Sequence, residues 1–379
     1  MPHTFTEATA SADPPAVSGP ERLVSLDAFR GATIAFMILV NTPGDGRFVY
    51  APLRHAEWHG WTPTDVVFPS FLWIVGVAMT LSMAAHVHPL RRILRRAAIL
   101  FVLGVLVYVY PDFNLGTQRI LGVLQRIALC YLIAALIYRS SGIRGQLAWI
   151  AGLLTAYWLI MAFAPVPGYG SGRLDVEGNF AHYVDRIVLG SHNYRQTRTW
   201  DPEGIVSTLP AIATTLFGIM AGHLLRLKRS LAERTVWLFL IGNLLIAAGL
   251  LCDRWLPINK KLWTSSFSLF MAGLDFVMFA IFLWLVDSQG YRRAVKPLVI
   301  FGKNAIVAYL ASEGLDEIFG WIHWTSGGHS TSLHEWLYGH AFAAFFSPFN
   351  ASMFYGIAYT LAIYLFAYGL YRRGRFVRI

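Results

Sequence analysis

Ten stretches of roughly 17–23 mostly apolar residues recur along this chain, the length a helix needs to cross the hydrocarbon core of a bilayer. They fall near residues 23–40, 64–86, 93–110, 118–138, 146–164, 206–225, 235–252, 264–286, 297–315 and 353–371. In lipid the backbone must satisfy its own hydrogen bonds, so runs of this kind become helices. The expectation is an all-α, polytopic integral membrane bundle of about 10–11 transmembrane helices. The eleventh is a weaker segment, 334–346, which is either an interfacial or re-entrant helix or one more span.

Composition agrees. Of 379 residues 56% are hydrophobic and only 14% charged, where a soluble domain carries about 25% charged residues. Spans and short loops use up the length, so 22–379 reads as one membrane domain. Ahead of it, residues 1–21 are rich in Pro, Ala, Ser and Thr and read as a disordered cytoplasmic tail without a cleavable signal. The net charge of +10 invites a nucleic-acid partner, but the basic residues sit in short loops between apolar runs. That is a topology signal, and no nucleic acid is expected. Cys130 and Cys252 lie within apolar runs and suggest no disulfide framework.

The same basic residues orient the chain. Arg91, Arg92, Arg95 and Arg96, the 226–234 and 292–296 clusters and the C-terminal arginines fall on one set of alternate loops. They outnumber the cations of the other set about two to one, which predicts both termini in the cytoplasm. His55 and the two longest loops, 165–205 and 316–352, then share the non-cytoplasmic side. Long loops gathered on one face commonly carry function. No internal repeat divides the chain, which weakens a transporter reading.

Ionisable residues within spans are functional candidates. Asp27 and Arg30, at i and i+3, share a face of the first span. They either lock that helix to a neighbour or position a ligand. The loop after it reads HAEWHGWTPTD, with His55, Glu57, His59 and Asp65. Two His at i, i+4 and a carboxylate raise a metal site, yet HAEWH is not the H-E-x-x-H pattern, and no metal is expected. His55 remains a general base or nucleophile, or a plain interfacial residue. Asp65 either orients its imidazole or caps the second span. Arg126, beside Gln125 in the fourth span, needs an anion, carbonyls or water. It pairs with Asp27 or Asp275, or it binds an anionic ligand. Lys303 and Asn304, at the cytoplasmic start of the ninth span, add anion-binding character, and with Arg126 they make the cytoplasmic face the anion-binding one.

The stretches RLVSLDAFRG, ILVNTPG, HAEWHGWTPTDVVFP, RILGVLQRIALCY, YVDRIVLGSHNY, WDPEGIVSTLPAI, INKKLWTSSF and FGKNAIVAYL resemble, in order from Arg22 onward, the transmembrane acetyltransferase family of heparan-α-glucosaminide N-acetyltransferase and its shorter bacterial relatives. The resemblance implies transfer of an acetyl group from cytosolic acetyl-CoA to a glucosamine-type amine across the membrane. It puts the family's essential histidine on His55 and other functional positions on Asn41, Arg126 and Glu203. It also suggests a homodimer. The chain lacks the family's additional N-terminal lumenal region, and its motif has His59 where the lysosomal enzyme has Asn. The first departure points to a bacterial inner-membrane protein with its own amino-sugar acceptor, and the second leaves the role of His59 open.

On this reading His55 is base or acetyl acceptor, oriented by Asp65, with Asn41 at the developing oxyanion. Arg126, Gln125, Lys303, Asn304 and Arg30 hold acetyl-CoA; Glu203, Asp201, Asp27 and Trp58 hold the sugar. The competing expectation is an amino-sugar permease whose path is lined by Asp27, Arg30 and Arg126.

Overall fold

The structure, a computed structural model, describes residues 23–86, 88–109, 113–326 and 329–377. The expected tail, 1–21, lies outside them. Each apolar run forms a helix: α1 (Val24–Asn41), α2 (Pro63–Ala85), α3 (Leu90–Val109), α4 (Val123–Ser140) and α5 (Ile143–Phe163). After a short α6 (Phe180–Val188) follow α7 (Thr208–Leu225), α8 (Leu231–Cys252) and α9 (Ser265–Phe282). The ninth run is two helices, α10 (Lys296–Lys303) and α11 (Ala305–Trp321), bent by 79°. The hairpin β1 (His323–Ser326) and β2 (His329–Ser332), a one-turn α12 (Leu333–Tyr338) and α13 (Pro348–Arg372) complete the described chain.

Among the described residues eight helices are long and apolar enough to span, or nine if the bent pair counts as one. α3 stands outside that count because Arg91, Arg92, Arg95 and Arg96 crowd its first turns; its 20 residues still reach about 30 Å. The segment 334–346 becomes α12 followed by a π-turn, Gly339–Ala343, too short to cross. The fourth run starts five residues late, at Val123, leaving Gln118 and Arg119 in a loop.

Position in the bundle follows side-chain size and polarity. α7 is central, with 78% of its apolar window buried, whereas α8 has 17% and turns a Leu-rich surface to lipid. Around α7 lies an aromatic core in which Trp73 of α2 meets Phe276 and Phe279 of α9 at 5.4 Å and Phe29 of α1 at 6.1 Å. Lipid tails are as apolar as Leu, so helices associate in a membrane through close packing rather than hydrophobic expulsion. α1 and α10 show how. A Cβ on Gly31 would sit 1.7 Å from the Leu298 carbonyl oxygen, and one on Gly302 1.9 Å from that of Asp27. Only glycine permits this backbone contact.

The contact also fixes the two ends. Gly302 lies on the N-terminal half of α1, about 20 Å along the helix from the loop that holds His55. At the His55 end, His334 of α12 bonds the Gly44 carbonyl at 2.8 Å and Trp58 bonds the Leu174 carbonyl at 2.9 Å. Both long loops therefore meet the α1–α2 loop.

Candidate active site

His55 sits in the loop before α2, and the start of that helix holds it. Pro63 occupies the first turn, where a missing N–H costs nothing. Asp65, 1% exposed, accepts from the Thr62 and Ala56 backbone N–H groups at 2.9 and 3.0 Å through Oδ2. Its Oδ1 lies 2.7 Å from His55 Nδ1. An ionised carboxylate only accepts, so Nδ1 carries the proton and Nε2 keeps its lone pair. Asp65 thus caps α2 and orients the imidazole at once.

The ring's other side remains open, with 44% of the side chain accessible. Lys260, from the α8–α9 loop, places Nζ 3.1 Å from Nδ1 and 3.3 Å from Nε2. Crowding by the loops, then the charge of Lys260, lowers the His55 pKa below its ordinary 6.5, against the opposing pull of Asp65 and Glu203. Burial likewise lowers the Lys260 pKa, with Asp65 and Glu203 opposing.

Behind this pair lies a buried charge cluster from the 189–207 loop. Arg119 donates to Asp201 from Nε at 2.8 Å and from Nη2 at 2.6 Å, and also to Glu203. Its guanidinium stacks on Tyr194 and Tyr108, 4.4 and 4.9 Å from the ring centres. Burial pushes the Glu203 pKa up, but the charges of Arg119, Arg126 and Lys260 outweigh it and hold the carboxylate ionised. Asp185 of α6 accepts from Ile205 N–H at 2.9 Å, and burial raises its pKa to about 6. A Cβ on Gly204 would lie 2.1 Å from an Asp185 carboxylate oxygen, so this loop needs glycine there.

Arg126, 1% exposed, donates from Nη2 to the Gly204 carbonyl at 2.9 Å and to Ser207 Oγ at 2.5 Å. Its guanidinium rests on Trp263, 5.1 Å from the ring centre. Neither Asp27 nor Asp275 is its partner: Asp27 pairs with Arg30 at 3.0 Å and Asp275 accepts from Ser70 Oγ at 2.5 Å. Arg126 and the neighbouring buried Gln125 therefore belong to the His55 end. The grouping of Arg126 with Lys303 does not hold. Residue 126 lies one turn into a helix whose start faces His55.

Lys303, Asn304 and Arg30 sit at the other end. Lys303 lies over Tyr371 at 5.1 Å, and Asn304 is spent on the C-terminal segment, donating to the Arg375 carbonyl and accepting from Val377 N–H, both at 3.2 Å. Asp27 shares that end through its carbonyl contact with Gly302. Asn41 is exposed at the end of α1, and among the described residues its side chain joins none of the His55-site bonds. Trp58 stands edge-on to His182 and Trp200, themselves stacked at 4.1 Å, and makes an aromatic wall beside the site. His59 receives a hydrogen bond from Asn259 Nδ2 at 3.4 Å instead of joining His55. Among the described residues no three His, Cys, Asp or Glu side chains group as metal ligands.

Lys260 and Arg119 escaped the sequence reading. Lys260 was visible only as a loop cation within INKKLWTSSF, and Arg119 was hidden inside a run assigned to the membrane.

Fold and site together define an integral membrane helical bundle with a buried-carboxylate-held histidine at one end. A family model described as heparan-alpha-glucosaminide N-acetyltransferase, catalytic, matches residues 22–255, and the chain belongs to that family. It is 29% identical to human heparan-alpha-glucosaminide N-acetyltransferase over 362 residues, covering 79% of this chain and 54% of the human one. With the mouse protein of the same name it shares 29% identity over 364 residues, 80% of this chain and 55% of the other. The chain thus spans about half the length of the curated relatives it matches.

Proposed function

We propose that the chain is a membrane N-acetyltransferase that moves an acetyl group from cytosolic acetyl-CoA to the amine of a glucosamine-type sugar on the opposite, periplasmic side of a bacterial inner membrane. The observation that carries this reading is the His55–Asp65 pair: Nδ1 is tied to a buried carboxylate, which leaves Nε2 its lone pair on a side chain that is 44% accessible. An amine attacks a thioester only when neutral, and a base with a lone pair held at that position takes its proton. The orienting carboxylate also stabilises the imidazolium that forms.

The carboxylates and the aromatic wall suit the acceptor. Glu203, kept ionised, draws an ammonium sugar to the site, Asp201 holds the Glu203 backbone N–H at 2.9 Å and so positions it, and Trp58 offers an apolar face for the sugar ring. The donor enters from the opposite end, where Lys303 lies over the Tyr371 and Phe376 rings and makes no ion pair among the described residues. Arg126 acts within the 201–207 loop, fixing Gly204 and Ser207 and so the backbone that presents Glu203.

Transfer proceeds in a ternary complex, without an acetyl-histidine. Purified protein given labelled acetyl-CoA and glucosamine yields N-acetylglucosamine. Acid quenching after acetyl-CoA alone leaves His55 unmodified by peptide mass spectrometry. Stoichiometric label on His55 sinks the ternary route, and absence of product with amino-sugar acceptors sinks the function.

The pH dependence has a definite sign. His55 must be neutral to act, and its pKa lies below 6.5. The histidine's contribution rises with pH through that lowered value, and the acceptor's own ammonium ionisation adds a separate acid limb. A His55 carbethoxylation profile whose midpoint falls above 6.5 contradicts this assignment.

A further inference from the structure

Lys260 is the one cation beside His55 for which the scheme above has no task. Its place is tightly specified. Gly60 N–H donates to the Ile258 carbonyl at 2.7 Å, which joins the Lys260 turn to the HAEWH loop. Asn259, 0% exposed, accepts from Leu262 N–H at 3.0 Å through Oδ1, and its own N–H donates to Thr264 Oγ1 at 3.1 Å. Trp263 N–H closes the turn on the Lys260 carbonyl at 3.0 Å. Trp263 takes φ of 50°, a left-handed conformation that a bulky side chain adopts only when its surroundings impose it. Those surroundings are Phe68, Phe267 and the Arg126 guanidinium. Lys261 adds a further tie, donating to the Glu57 carbonyl at 2.6 Å.

This turn holds the Lys260 ammonium at the imidazole, and its ion pair among the described residues is a long one that it shares with His55. The nearest carboxylate oxygen, Asp65 Oδ1, is 3.8 Å away and already takes the His55 proton. Glu203 is engaged by Arg119. Nδ1 carries a proton, so the ammonium has no acceptor there. Its Nζ lies 3.1 Å from Nδ1 and 3.3 Å from Nε2, so the ring acceptor within its reach is Nε2, where a substrate must meet the base. A fixed cation next to a general base, with one N–H within reach of Nε2 and further N–H donors to spare, matches the demand of acyl transfer, in which negative charge appears on the carbonyl oxygen within bonding distance of the base.

We propose that Lys260 is a second catalytic residue of this site, donating from its ammonium to the thioester carbonyl oxygen as that oxygen becomes an oxyanion. The inference rests on the acetyl-transfer reading. The neutral amine adds to the carbonyl carbon, forming the C–N bond, and the C=O π pair moves to oxygen against Lys260. His55 Nε2 takes the proton from the amine. The oxyanion pair then re-forms C=O, the C–S bond breaks, and the thiolate leaves with the proton returned by the imidazolium. Lys260 ends the cycle as it began. Its charge has a second effect on His55. Of the charged groups that face the ring, Asp65 from α2 and Glu203 from the 189–207 loop favour the imidazolium, and Lys260 alone disfavours it.

The test compares wild type, Lys260→Met and Lys260→Arg as full-length protein in detergent. Rates are measured against pH with acetyl-CoA and glucosamine, and the rate of His55 carbethoxylation by diethyl pyrocarbonate is followed in parallel. Lys260→Met is expected to lower kcat about 10²-fold with KM for both substrates within about threefold. Its acid limb and its carbethoxylation midpoint both move up by about one pH unit. Lys260→Arg keeps the wild-type acid limb and recovers part of kcat. A Lys260→Met enzyme with wild-type kcat overturns the proposal, as does one whose kcat falls while both pH profiles stay in place. A wild type inactive toward every amino-sugar acceptor defeats the transfer reading itself, whereas an active wild type with an unaffected Lys260→Met defeats Lys260 alone.

Discussion

His55→Ala lowers kcat for acetyl transfer about 10³-fold, the range a positioned general base supplies, and leaves the KM for acetyl-CoA within about threefold. Asp65→Asn follows at about 10²-fold, and for a different reason. Asp65 holds the Nδ1 proton at 2.7 Å and so decides which nitrogen keeps a lone pair. An amide at that position can present its NH₂ to Nδ1 and reverse the tautomer, turning Nε2 into a donor. The same substitution also weakens the cap of α2, where Asp65 accepts from Thr62 and Ala56. The two effects separate by measurement: the cap is read by thermal unfolding, and the tautomer by kcat in protein still folded at the assay temperature. A fully active His55→Ala enzyme removes His55 from the chemistry.

Arg119→Met is expected to have the largest effect on stability, about 3–5 kcal/mol, as found when one partner of a buried ion pair is removed. Arg119 is 9% exposed and bridges two carboxylates, Asp201 at 0% and Glu203 at 10% side-chain exposure. Without it two like charges remain buried side by side, and the 201–207 loop loses the bonds that present Glu203. The check is a thermal melt of the detergent-purified variant beside Arg119→Met/Glu203→Gln. The double variant removes one stranded charge and should regain part of the loss. Equal melting of wild type and Arg119→Met contradicts the description of this cluster as a structural keystone of the site.

The architecture was legible because span length is imposed by the bilayer, and all ten apolar runs form helices. What composition alone missed was local polarity: the fourth run begins at Val123 because Gly122 stops it and Arg119 turns away to Asp201. The break at Asn304 was hidden in the same way, since a 79° bend leaves hydropathy unchanged. His55 and Asp65 were readable as a pair, ten residues apart across a loop and the first turn of the helix that follows it. Lys260 was not, because it reaches His55 from 205 residues away and no periodicity records that. Arg126 is the instructive case. The alternation of spans already puts the start of the fourth helix at the His55 end, and Arg126 lies in its first turn. Its assignment beside Lys303 overlooked the direction in which that helix runs.

The central claim is that one histidine site joins a donor from one side of the membrane to an acceptor on the other. Sealed proteoliposomes, with the protein oriented by protease accessibility of the C-terminal tail, test it directly. Acetyl-CoA is supplied on the side of that tail and glucosamine, labelled and membrane-impermeant, on the side of His55. The account predicts N-acetylated sugar on the His55 side and free CoA on the tail side, with neither formed by His55→Ala. Unmodified sugar crossing to the tail side without acetyl-CoA, or product forming only when both substrates share one side, contradicts it.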